Sequence, residues 1–200
     1  MPIKQPSVMK RILLTVGSMF LMYQSLSFLL IISSLAGVMM SPIVALILTF
    51  IINLFVLGIF ALLGFAWPTQ KLLPSNYYTV KNPKLLKRIS GILGLDFFHK
   101  VMMATVWRSK NMRKGFFNGR RDDLVDMEVQ TRKSEFGHLI PFILIMILVV
   151  LFIFEHQFLF ASMIMFFNVI LNLYPILLQR NHRAKLQRIA VIQESKSNRT

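Results

Sequence analysis

The sequence predicts an all-α integral membrane protein. Four transmembrane helices form two hairpins, joined by a basic cytoplasmic segment that carries an interfacial amphipathic helix. Three observations predict this. The chain is 55% hydrophobic and only 16% charged, against about 25% charged in a soluble domain. Its mean hydropathy is +0.60. The apolar residues are gathered into four long blocks rather than dispersed along the chain, as membrane spans require. The 200 residues therefore divide into spans and connections within a single membrane domain.

The first span is expected over 12–38 and the second over 43–67, parted by Gly37 and by Ser41-Pro42 with no charge in the turn. Each is long enough for the ~30 Å hydrocarbon layer, which takes about 20 helical residues. The first block is also too long for a cleaved signal peptide. The third apolar block, from Ile140 to Phe154, reaches a full span only if it begins near Phe136, so the third span is set at 136–154 and brings His138 to the membrane boundary. Glu155-His156-Gln157 makes a short break, and the fourth span follows at 158–178.

Between the hairpins, residues 68–135 are too long for a plain connection. Pro68, Pro74 and Pro83 punctuate the start of this segment. The 85–107 stretch mixes Leu, Ile, Phe, Met and Val with Lys87, Arg88, Asp96, His99 and Lys100. That charge is too high to cross a bilayer and suits a helix lying in the interface. The 111–131 stretch reads as polar and exposed, and residues 179–200 as a basic cytoplasmic tail.

Charge sets the expected orientation. The 23 Lys and Arg against 8 acids give +15. In a membrane chain this points to cytoplasmic loops and anionic headgroups rather than to nucleic acid. Lys4, Lys10 and Arg11 precede the first span, fourteen basic residues lie in 68–137, and six follow Gln179. Neither turn inside a hairpin holds a basic residue. Both termini are thus expected in the cytoplasm, with membrane lipids as partners.

Polar residues inside the spans point to a site. Asn168, Asn172, Gln179 and Arg183 fall at offsets 0, 4, 11 and 15. At about 100° per residue they lie within roughly 60° of one another. Pro175 shares this face, and Arg180 lies one position round. Such a row is costly against lipid. Interhelical packing suffices for Asn168 alone, whereas Asn172, Gln179, Arg180 and Arg183 together exceed what packing needs. Glu135 and His138, spaced i, i+3, share a face at the start of the third span. A carboxylate beside an imidazole suits a general base. The competing reading makes Glu135 a solvated helix-start acid and His138 an interfacial residue. The short 155–157 turn is expected to bring the two sets to one depth.

Other chemistries find less support. No cysteine is present, which excludes thiolate metal sites and a Cys nucleophile. The four histidines are His99, His138, His156 and His182, too scattered for a zinc or di-iron centre, so no metal is expected. Asp122-Asp123-Leu124-Val125-Asp126 fits a DDxxD Mg²⁺–diphosphate pattern, but it occurs once beside Arg120 and Arg121, and a solvated loop is the better reading. A lipid or prenyl-type transferase using the same polar site or that string with Mg²⁺, and a non-catalytic protein binding anionic lipid, stand as alternatives.

The string from Thr131 to His138, ahead of an apolar span, resembles the glycosyl-4,4'-diaponeurosporenoate acyltransferase family. So does the string from Asn172 to Leu186 with its Gln179-Arg180-x-x-Arg183 core. Leu73-Pro74-Ser75-Asn76-Tyr77-Tyr78 is similar to that family's proline–aromatic lead into a basic middle segment. The resemblance spans roughly 72–190. It implies a bacterial cell-membrane enzyme that moves a fatty acyl group onto a sugar hydroxyl of a glycosyl carotenoid. It implies no cofactor beyond a thioester acyl donor as co-substrate. On this reading His138 is the base, oriented by Glu135, and Asn172, Gln179, Arg180 and Arg183 bind donor or oxyanion. The oligomeric state is left open.

Overall fold

The computed structural model describes residues 6–34, 41–104 and 121–197. Among them every regular element is a helix. In chain order these are α1 Val8–Ser34, α2 Pro42–Ala66, a 3-10 turn Thr69–Lys71, α3 Ser75–Tyr78, α4 Pro83–Ile92, α5 Leu95–Ala104, α6 Arg121–Phe154, α7 Phe158–Asn168, a π-helical turn Val169–Leu173, and α8 Tyr174–Ser197. Four stretches are long and apolar enough to cross a membrane: Val8–Ser34, Pro42–Ala66, Leu124–Phe154 and Phe158–Ile192. The expected ends at 35–38 and 105–107, and the polar 111–120 stretch, lie outside the described residues.

The chain divides into two compact units. One comprises Gln5–Thr69 and Phe136–Pro175, the most apolar half of the sequence. Its core is built from Ile32, Ala45, Ile52, Val56, Ile145, Val149, Phe152, Phe160, Ala161 and Ile164. The first two helices approach closely at glycines. A Cβ on Gly58 would lie 2.8 Å from Leu21 Cδ1, and one on Gly17 3.3 Å from Leu62 Cδ1. Small residues at such crossings let backbones meet where no hydrophobic effect drives association. Phe28 and Phe55 meet edge to face at 5.5 Å. Arg11, in the first turn of α1, lies over the Trp67 ring at 5.7 Å, and Trp67 Nε1 donates to Thr15 Oγ1 at 3.2 Å. A basic–aromatic pair of this kind is what an interface anchors.

The break at Glu155-His156-Gln157 is a helix C-cap. Gln157 N donates to Phe152 O at 2.8 Å, the six-to-one bond of a Schellman turn. His156 takes the left-handed position, with φ +56°, which glycine usually fills. Just beyond, Phe152 and Phe160 stack at 5.7 Å.

The other unit comprises Gln70–Glu135 with Ile176–Thr200. Here α4 is capped by Asn82, whose Oδ1 accepts from Leu85 N at 3.0 Å, with Pro83 at the first turn. The amphipathic stretch expected as one helix is two. Leu93 closes α4, and Gly94 adopts φ +66° before α5 begins at Leu95. Only glycine takes that conformation without strain, so the helix ends there and restarts. Exposed Leu85, Ile89, Ile92, Phe97 and Val101 alternate with exposed Lys84, Lys87, Arg88 and Lys100. The polar stretch read as exposed is helical from Arg121 onward, with Val125, Asp126 and Gln130 exposed and Thr131 buried. The i, i+4 pair of Glu128 with Arg132 supports a helix without apolar periodicity.

Candidate functional site

Each unit holds its own polar cluster. In the unit of Gln70–Glu135 and Ile176–Thr200 the centre is Glu135. Its carboxylate is fully enclosed, and both oxygens are engaged. Oε1 accepts from Arg180 Nε at 2.8 Å, and Oε2 accepts from Arg183 Nη2. Arg183 is wholly buried and also donates to the Tyr78 carbonyl at 3.2 Å. Arg180 keeps 31% of its side chain exposed.

Two adjacent tyrosines carry these cations. Arg180 Cζ lies 4.8 Å from the Tyr77 ring centre, and Arg183 Cζ lies 4.9 Å from that of Tyr78. Arg132 reaches the Tyr78 ring as well, at 5.1 Å. An aromatic face attracts a guanidinium most where water is excluded. The pattern follows from local sequence. Arg180 and Arg183 are i, i+3 on α8, so they share a face. Tyr77 and Tyr78 close α3, after the turn that begins at Pro74. Burial, and next the Glu135 charge, push the Tyr78 hydroxyl up to about 12. The same two causes raise Tyr77. Both stay neutral at physiological pH. The Glu135, Arg180 and Arg183 group then carries one net positive charge, two cations against one anion.

Secondary contacts close this unit around the group. Gln187 Oε1 accepts from Val80 N at 3.2 Å, and Asn181 Nδ2 donates to Ser90 Oγ at 2.7 Å. Gln179 is half-buried, and no hydrogen bond joins its side chain to the Glu135 group. Arg180, not Gln179, is the residue of that turn that faces the carboxylate.

In the unit of Gln5–Thr69 and Phe136–Pro175 the centre is His138. The imidazole faces the Asn172 side chain and the Leu171 carbonyl. Pro175, four residues on, has no N–H to return to that carbonyl as an α-helix would. Asn172 sits in the π-turn Val169–Leu173, a distortion that recurs at functional sites. The π-turn adds a residue to the helical register, so a constant ~100° step does not hold from 168 to 183. Asn172 Nδ2 donates to Asn168 Oδ1 at 2.9 Å, and Asn168 Nδ2 to the Phe142 carbonyl at 3.1 Å. His138 Nδ1 and Asn172 Oδ1 are both buried without a hydrogen-bond partner.

Sequence reasoning missed several members of these clusters. Asn53 on α2 is fully buried and donates to Thr49 O at 2.9 Å and Ile164 O at 3.3 Å. A lone amide in an otherwise apolar span was the available signal. Tyr77, Tyr78 and Arg132 were visible as aromatics and a base, but nothing local says that they stack. Among the described residues no group of three or more His, Asp or Glu gathers in metal-binding range. Of the DDxxD string, Asp126 is exposed on α6, and the side chains of Asp122 and Asp123 lie outside the described residues.

No curated protein and no solved structure matches the chain. A family does. The sequence profile of the CrtO family, described as glycosyl-4,4'-diaponeurosporenoate acyltransferase, matches residues 74–191. The match takes in Tyr77, Tyr78, Glu135, His138, the π-turn and Arg180 and Arg183 of α8, and leaves out α1 and α2. More than half of the chain is covered, and the chain belongs to the glycosyl-4,4'-diaponeurosporenoate acyltransferase family.

Proposed function

We propose that this acyltransferase moves a fatty acyl group from a cytoplasmic thioester to a hydroxyl of a lipid-like acceptor, a glycosyl carotenoid being the substrate that the family name suggests. His138 is the base. The observation that carries this is its position. It is an imidazole in an apolar unit, faced by the Leu171 carbonyl and Asn172, with a buried Nδ1 that has no partner. A backbone carbonyl on one side of the ring favours an N–H there and leaves a nitrogen on the other side to accept a proton.

In the reaction the acceptor hydroxyl gives its proton to His138 as its oxygen attacks the thioester carbonyl. The tetrahedral intermediate collapses and expels the thiolate. The proton passes from the imidazolium to the sulfur, leaving an ester and a free thiol. Asn172 holds the imidazole or the hydroxyl through its unpartnered Oδ1. Arg180 is the cation with exposure enough to meet the donor. Glu135 and Arg183 hold Arg180 and Tyr78 in place, and Gln179 offers a half-buried amide to the donor. No step needs a cofactor beyond the thioester.

The membrane arrangement belongs to the same reading. Two hairpins are joined by a cytoplasmic segment, and α4 and α5 lie at the interface on anionic lipid, with both termini inside. An acceptor dissolved in the bilayer then meets a donor arriving from the cytoplasm. The test is His138→Ala in membranes supplied with acceptor and labelled donor. Turnover should fall about 10²–10⁴-fold at unchanged protein level. Near-normal turnover at normal abundance would remove His138 from the mechanism.

A further inference from the structure

The unit of Gln70–Glu135 and Ile176–Thr200 contains a cleft that the reading above does not use. It has a volume of about 430 Å³ and is lined by Gln70, Lys71, Leu73, Ser75, Val129 and Arg132, with Pro74 at its edge. That size falls in the ~300–1,000 Å³ range of small-molecule sites and is far more than one water needs. Its chemistry is uneven. Lys71 and Arg132 bring two cations, and Ser75 a hydroxyl. Leu73 and Val129 give an apolar wall.

Two lining groups lack a partner. Arg132 Nε and Gln70 Oε1 are buried, and neither makes a hydrogen bond. Arg132 is otherwise fixed. Its Nη2 binds Glu128, and its guanidinium lies on the Tyr78 ring. The cleft wall thus holds a donor and an acceptor that the protein itself leaves unsatisfied, a costly state for buried polar groups.

The geometry points to a binding site for a phosphate ester that carries a hydroxyl or amide N–H a few bonds from the phosphate. Lys71, Ser75 and the Arg132 guanidinium take the phosphate oxygens, and the Gln70 amide meets the hydroxyl or N–H. Two sources supply that chemistry: the pantetheine phosphate arm of the thioester donor, and the glycerol phosphate headgroup of an anionic lipid. The inference deepens the proposed reaction by giving its donor a second anchor, through Arg132 and the Tyr78 ring, to the Glu135 group.

The experiment measures binding of coenzyme A and, separately, of phosphatidylglycerol in nanodiscs to the purified full-length protein, for the natural chain and for Lys71→Gln, Arg132→Gln and Lys185→Gln. Charge-assisted hydrogen bonds imply about a ten- to hundredfold loss in affinity for either cleft variant. Lys185, exposed on α8, is the charge control and should change nothing. Loss confined to coenzyme A assigns the cleft to the donor, and loss confined to phosphatidylglycerol assigns it to lipid. Lys71 is exposed, so Lys71→Gln folds even if Arg132→Gln does not. Equal affinities for Lys71→Gln and the natural chain on both ligands overturn the site, as does binding of neither. A thioester donor without phosphate separates this from the catalytic reading. The natural chain should transfer from it without the cleft's cations, whereas a natural chain that transfers from no donor refutes the reaction and leaves the binding result standing.

Discussion

Replacing Glu135 by Gln takes one negative charge from between two guanidiniums at nearly constant volume. The consequence can be worked from burial. Glu135 and Arg183 are both fully enclosed, so the substitution leaves the Arg183 cation buried with only the Tyr78 carbonyl and ring. Breaking a buried pair on one side costs about 3–5 kcal/mol. The Arg180 contact adds little, because 31% of that side chain is exposed and such a pair is worth about 0–1 kcal/mol. The Tyr78 contacts are present before and after, and cancel. The expected loss is therefore about 3–5 kcal/mol, nearly all of it from Arg183. Chemical unfolding in mixed lipid–detergent micelles measures it. A second variant fixes the cause. Glu135→Gln combined with Arg183→Met leaves no unpaired cation buried, and the amide that remains can still accept from Arg180 Nε, so the double variant should regain most of the loss. A loss below about 1 kcal/mol, smaller than any buried-pair deletion, or a double variant no more stable than the single one, would refute the reasoning and make Glu135 an acid that answers to something other than Arg183.

Tyr78 predicts a pH limit. Its folded value is about 12 against an ordinary 10.0, so folding favours the neutral phenol. That stability is fully present below pH 10 and is lost as pH rises towards 12. The unfolding midpoint of the natural chain should fall more steeply over this window than that of Tyr78→Phe, and parallel curves would contradict it. Topology predicts that a tag inserted near Gln157 reads external and a fusion after Arg188 reads cytoplasmic. A cytoplasmic tag at Gln157 would reverse the membrane arrangement and with it the side from which the donor comes.

How far the sequence carries depends on whether a feature is written in one segment or needs two. The four apolar helices were legible because length and apolarity within each segment decide them. The start of α6 at Arg121 was not, since its first two turns are mostly polar, and Leu124, Val125 and Met127 are too few to set a period. The break at Gly94 was half legible. A glycine inside an amphipathic run invites a stop, but only the backbone shows that it takes a positive φ. Glu135 shows the limit most clearly. The i, i+3 spacing put it on a face with His138 and suggested a carboxylate–imidazole couple. Spacing, however, ranks only neighbours on one helix. Both oxygens of Glu135 are taken by guanidiniums from α8, some 45 to 48 residues away in sequence, where a charged partner outcompetes a neutral ring. The imidazole is faced by a carbonyl to which Pro175 returns no N–H, and that clue lies in the sequence for anyone counting back four residues from the proline. The π-turn has no such mark. It breaks the constant step from Asn168 to Arg183, so which residue of the stripe meets the carboxylate, Arg180 rather than Gln179, had to come from the fold.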